Sequence, residues 1–89
     1  MTYCAIRPGS YDAGAYITAS NSLRTLMRAT TRAVGQSGEA MVYRTDDLTV
    51  IHVSLSGVQV YRPKDGAFPV AIKHAHLGWI DVKVENVEK

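Results

Sequence analysis

The side chains whose types and spacing could do chemistry are three histidines, one cysteine and a row of arginines. His74 and His76 lie two apart, so on a strand they would point the same way and could share a metal with Asp81 or His52. Two histidines fall short of the three or four protein ligands that zinc takes, and there is no second cysteine. Surface histidines beside a loop are the better reading, and neither a metal site nor a cofactor is expected. Cys4 with one histidine and an aspartate would supply the residue types of a thiol hydrolase. A catalytic thiolate sits where a helix N-terminus or a histidine lowers its pKa, whereas Cys4 falls inside an apolar run, so a buried structural cysteine is expected. Gly35 and Gly38 close a helix instead of opening one, so their amides cannot cradle a phosphate. No catalytic residues are assigned, and the chain is expected to be non-enzymatic.

The arginines carry the strongest functional signal. Arg24, Arg28 and Arg32 recur every four residues within SNSLRTLMRATTRAVG, residues 20–35. Leu23, Leu26, Met27, Thr30, Ala33 and Val34 recur at the three- and four-residue intervals of an opposite, apolar stripe. This spacing predicts an amphipathic helix over 21–35, with Ser20, Asn21 and Ser22 as capping residues and Gly35 as its stop. Residues four apart on a helix have Cβ atoms roughly 5–6 Å apart, so the three arginines form a row about 12 Å long. Such a row matches acidic side chains of a protein or successive phosphates of a nucleic acid. It also matches a solvated helix face, which must be polar in any case.

The charge distribution supports a local patch. The chain carries a net +2, yet residues 1–44 hold five arginines against two acids while residues 45–89 are net −1. All five positive charges of the first half, Arg7, Arg24, Arg28, Arg32 and Arg44, are arginine, which forks carboxylate and phosphate bidentately where lysine cannot. With 46% hydrophobic and 20% charged residues, the 89-residue chain reads as one folded domain, residues 1–89, frayed over 85–89. A single cysteine, no apolar run of about eighteen residues and no leader-like start together lead to the expectation of a soluble, cytoplasmic protein.

Around the helix the chain reads as short extended runs. TYCAIR (2–7) stops at Pro8-Gly9, and Ala15–Thr18 is either a brief strand or a loop into the helix cap. EAMVYR (39–44), LTVIHVSL (48–55) and VQVYR (58–62) read as an antiparallel meander, with Ile51, Val53 and Leu55 expected to face the helix. A brief strand over 70–74 and a last one over 79–84, with Ile80, Val82 and Val84 alternating against Trp79, Asp81 and Lys83, complete the set. The expected fold is α+β, a single helix packed on one face of a four- or five-stranded antiparallel sheet. The other face would then be open, carrying His52, Ser54, and some of Tyr43, Tyr61 and Trp79. The candidate binding residues are Arg24, Arg28, Arg32, Arg44, Arg7, Tyr61 and Trp79. The edge of the 48–62 hairpin is a place where a copy of the chain could pair.

Taken together, the strand-led N-terminus, the capped helix SLRTLMRATTRAVG and the hairpin series EAMVYRTDDLTVIHVSLSGVQVY resemble the small phage- or mobile-element-encoded anti-CRISPR proteins. The closest likeness is to type I inhibitors built as one helix on an antiparallel sheet. The resemblance spans residues 20–62 in size, element order and helix pattern. These inhibitors share no diagnostic motif, so it transfers no site residue. It implies a stoichiometric inhibitor that binds a CRISPR effector complex or nuclease and blocks its nucleic-acid or partner site. Helix-on-sheet domains also include RNA-binding domains and antitoxins, so a small nucleic-acid-binding regulator using the same arginines is the alternative.

Overall fold

The computed structural model describes residues 2–9 and 13–81. Seven strands and one helix follow in the order β1 (Tyr3–Pro8), β2 (Gly14–Ser20), α1 (Leu23–Val34), β3 (Ala40–Arg44), β4 (Leu48–Val53), β5 (Gln59–Pro63), β6 (Ala71–His74) and β7 (Gly78–Asp81). All strand pairs are antiparallel, in the spatial order β4-β5-β2-β1-β3-β6-β7. The α+β class with one helix and an antiparallel sheet is as expected, but the sheet has seven strands instead of four or five. Gly14–Ser20 is a full strand, and the 82–84 part of the expected last strand lies outside the described residues, as does the frayed tail.

The helix forms where its spacing and caps require. Ser22 Oγ accepts from Thr25 N at 3.2 Å, and Ser20 Oγ accepts from Ser22 N at 3.1 Å. Asn21 points elsewhere, accepting from Thr2 Oγ1 at 2.8 Å. Gly35 ends the helix at φ 80°, its amide donating to Thr31 O. Leu26 and Thr30 are fully buried, Leu23, Met27 and Val34 half-buried, and Ala33 exposed, so the buried stripe is narrower than the sequence suggests. The helix lies chiefly on β2 and then on β1. Beneath it Ala5, Leu26, Val42 and Ala71 form one core, flanked by Tyr3, Ile17, Leu23, Val70 and Trp79.

The opposite face is not simply open. Cys4, Ile6, Tyr43 and Leu48 form a second core there, with Met41, Tyr61 and Ala67 against it. Leu48 belongs to β4, three places from β1 in the sheet, yet it packs with Cys4 and Ile6, so the sheet curls over this face. The connection demands it. Arg44 and Leu48 are four residue steps apart, a reach of about 14 Å, whereas four flat strand spacings between β3 and β4 would be about 19 Å. A single 3-10 turn, Thr45–Asp47, makes the crossing, with Thr45 N bonded to Thr2 O and Lys64 N to Asp47 O. The expected meander of β3, β4 and β5 is therefore corrected: β3 sits between β1 and β6, and of the three only β4 and β5 pair with each other.

That hairpin also reverses the expected inward set. Ile51, Val53 and Leu55 are exposed, Leu55 completely, because the helix packs mainly on β2 and β1. A register irregularity between Val50 and His52 further disturbs the alternation.

Candidate functional site

A helix with its side chains is about 10–12 Å across, whereas seven strands span about 29 Å along a flattened sheet. Since α1 rests on β2 and β1, the β6–β7 side of the same face is left without a helix. The result is an open groove of about 810 Å³ lined by Leu23, Arg24, Met27, Arg28, Thr31, Arg32 and Trp79.

Each lining side chain has a definite support. Trp79 faces the helix side of β7, where its cross-strand neighbour is Lys73. Its Nε1 donates to Thr31 Oγ1 at 2.9 Å, and Thr31 Oγ1 in turn donates to Met27 O at 2.9 Å. The indole is thus anchored to the helix through its one polar atom, leaving ring surface for the groove wall. Lys73, almost fully buried, donates from Nζ to Gln36 O at 2.7 Å and Gly38 O at 3.1 Å. This clamps the turn after α1 onto β6 and so fixes the helix relative to β7. Gly38 belongs to the same clamp, since a Cβ there would collide with Val34 O.

Arg24, Arg28 and Arg32 are all exposed, and among the described residues none makes an ion pair. Among the described residues that line the groove, none is acidic. An apolar floor of Leu23, Met27 and the Trp79 ring under a rim of three guanidinium groups can hold an apolar segment bearing carboxylates or phosphates.

The structure brings together four of the seven expected binding residues, Arg24, Arg28, Arg32 and Trp79. The other three lie elsewhere. Arg44, at the end of β3, is half-buried with its Nε 3.7 Å from Asp47 Oδ2. Arg7 is exposed near the far end of β1, opposite Ala15 of β2. Tyr61 lies on the other face, its ring 5.9 Å from that of Tyr16 and its hydroxyl donating to Gln59 Oε1 at 3.2 Å. Burial, then the neighbouring Cys4 and Tyr16, pushes the Tyr61 phenol up. Trp79 and Tyr43 were expected on an open face; Trp79 is on the helix side and Tyr43 is buried in the second core. Leu23 and Met27, expected in the buried stripe, are half-buried and line the groove, Leu23 packing against the core under α1 as well. The signal for this was the sheet width: one twelve-residue helix cannot cover so many strands.

The other chemistry-bearing residues are dispersed. Cys4 is buried among Ile6, Tyr43 and Leu48, and burial pushes its thiol up to about 11, so only about one molecule in 10⁴ carries the thiolate at pH 7. His74 and His76 stand with ring centroids 6.0 Å apart, and His74 Nδ1 accepts from the amides of His76 and, more weakly, Leu77, so that nitrogen organises the β6–β7 turn. His52 is on β4, separated from β6 by four strands in the sheet order. Among the described residues no group of three or more His, Cys, Asp or Glu side chains is placed to hold a metal ion. Nor is any helix among them long and apolar enough to cross a membrane. Comparison with known proteins finds no matching family model, no matching curated protein and no matching solved structure.

Proposed function

We propose that this chain is a non-enzymatic inhibitory binding protein of the anti-CRISPR kind, acting in the cytoplasm of a bacterial host. It docks an acidic, partly apolar protein segment in the groove between α1 and β7, and so blocks the nucleic-acid or partner site of a CRISPR effector complex or nuclease. The observation that carries this reading is the convergence of Arg24, Arg28, Arg32 and Trp79 on one groove. Trp and Arg are among the side chains that most often dominate protein interfaces. The rim supplies electrostatic selection and the floor supplies burial.

The apolar floor favours a protein segment over a bare phosphate backbone, which would use the rim and leave Leu23 and Met27 wet. Co-elution tests this directly: purified protein is mixed with type I surveillance complexes, and wild type is compared with a variant in which Arg24, Arg28 and Arg32 are all glutamate. Co-elution of wild type with one complex, lost in the variant, is the expected result. If nothing co-elutes, the inhibitor reading fails. If the protein instead shifts duplex DNA or RNA, with log K falling against log salt at a slope near 3, the arginines contact phosphates and the regulator reading replaces it.

A further inference from the structure

The two flanks of α1 differ. Leu26 and Thr30, both fully buried, mark the side of the helix turned to the sheet. At about 100° per residue, Leu23, Met27 and Thr31 centre about 80° round from that side, and Arg24, Arg28 and Arg32 about 180° round from it. The Trp79–Thr31 hydrogen bond fixes the first of these rows on the flank turned to β7. The opposite flank holds Thr25, Ala29 and Ala33, with neither a charge nor a large apolar side chain. An apolar row beneath a basic row is therefore built on one flank alone.

Taking the groove as a protein-docking site, on which this rests, we infer that its occupant is one amphipathic α-helix of the partner protein, about three turns long. Its apolar ridge packs on Leu23, Met27 and Trp79, and its carboxylates stand beside Arg24, Arg28 and Arg32. Charge complementarity selects the carboxylates, since three exposed guanidinium groups line the rim with no ion pair among the described residues. Backbone chemistry selects the helix. Six of the seven lining residues belong to α1, whose peptide groups bond within the helix, so the wall offers an incoming chain almost no main-chain partner. An extended segment pressed against it would bury amides and carbonyls unpaired, whereas a helix bonds its own. Among the described residues β7 offers an extended segment only Gly78–Asp81, and a strand paired there lies in the plane of the sheet, one spacing beyond Trp79 and not over Leu23 and Met27.

Spacing agrees with this. Each row of α1 steps by four residues, about 6 Å along the axis, and drifts about 40° around it. Rows of this kind are the ridges of helix packing, and those of two helices interlock when the axes lie about 8–10 Å apart and cross at about 50°. A partner ridge laid between Leu23, Met27 and the Trp79 ring then runs parallel to the arginine row. Carboxylates next to each apolar residue of that ridge repeat at the same interval as the arginines.

Helices of about sixteen residues are marginal in water, so the probe is a leucine-glutamate-alanine-glutamate repeat of about that length, crosslinked through its alanine face to be helical before binding. It holds no aromatic residue, so the fluorescence of Trp79, the one tryptophan of the chain, reads its binding from about 1 µM to about 1 mM. The crosslinked helix should bind at least about tenfold more tightly than the same repeat broken by two prolines, and than a shuffled order that spreads the leucines round the helix. Arg28→Glu and Met27→Lys should each weaken it about tenfold or more, whereas Ala33→Gln on the opposite flank should leave it unchanged. Arg28 is exposed, so Arg28→Glu reads the groove even where Met27→Lys misfolds. If the proline-broken peptide binds as tightly as the helix, the occupant is extended, and the helix inference fails while docking of an acidic, partly apolar segment stands. Equal binding of the shuffled peptide, binding that survives both groove variants, or no binding of the helical probe also overturns it. Co-elution with surveillance complexes tests the docking function separately.

Discussion

The groove beside α1 and the β4–β5 hairpin both leave apolar side chains in contact with solvent, but they do so in opposite electrostatic settings. The groove places Leu23, Met27 and Trp79 beneath three arginines, and its wall is pinned by the Trp79–Thr31 hydrogen bond and the Lys73 clamp. The hairpin carries Val50, Ile51, Val53, Leu55 and Val58 with no charge between residues 48 and 58. A charged rim discriminates among partners by sign, and an uncharged edge discriminates by shape and by backbone pairing. The two regions therefore offer different kinds of contact, one selective by charge and the other not.

The largest effect that would break the contrast concerns stability. The groove side rests on the core under α1, whereas β4 beyond Leu48 and the turn that follows it are exposed, with only β5 packed against the second core. Leu26→Ala should cost about 3–4 kcal/mol in chemical denaturation, since a fully buried leucine leaves a cavity. Leu55→Ala at the exposed tip should lie within about ±0.5 kcal/mol in dilute protein. Equal losses at the two sites would mean that the hairpin is integral to the fold and the distinction between the two regions is wrong.

Alkaline pH probes the core on the hairpin side. The Cys4 thiol is raised by burial from 9.0 to about 11, and burial also raises the Tyr43 phenol. Between those thiol values the unfolded chain gives up a proton that the folded chain keeps. Stability present below about pH 9 is therefore lost as pH rises towards 11, by roughly 2–3 kcal/mol from Cys4. Denaturation midpoints measured from pH 8 to pH 11 should fall in this way, and Cys4→Ala should flatten the fall by about the thiol's share.

Binding should respond at the groove and not at the hairpin. Arg28→Ala, at the middle of the row, should weaken target binding by about 2 kcal/mol, roughly thirtyfold, while Arg62→Ala on β5 changes it far less and both variants melt near wild type. Arg28→Glu should be worse than Arg28→Ala because repulsion is added to the lost contact. Titration calorimetry against the captured target decides this; if Arg24, Arg28 and Arg32 can all become glutamate at wild-type affinity, the row is merely a solvated face.

The smallest effect sharpens the account of the groove wall. Trp79→Phe keeps a ring on the wall but deletes the donor to Thr31, and should cost about 1 kcal/mol of stability. A larger loss of binding than of stability in this variant would show that the indole meets the partner directly.

What could be read from the sequence was whatever is encoded by residues close together in the chain. The helix, its Ser22 cap and Gly35 stop, the exposed arginine row and the extended character of most strands follow from spacing and turn residues over a dozen positions or fewer. The burial of Cys4 was legible for the same reason, since it sits in an apolar run. Strand order was not, because pairing joins residues far apart: nothing local tells β3 to leave β4 and lie between β1 and β6. The face assignments inherited that gap. Ile51 and Val53 look like core on alternation alone, and only the placement of α1 over β2 and β1 leaves them in solvent. Trp79 looked like a residue of an open face, and only the β6–β7 pairing and its bond to Thr31 set it beside Arg24, Arg28 and Arg32. Alternation tells which residues share a face; which face is covered depends on how far a helix can reach across a sheet that curls, and that is decided by the whole chain at once.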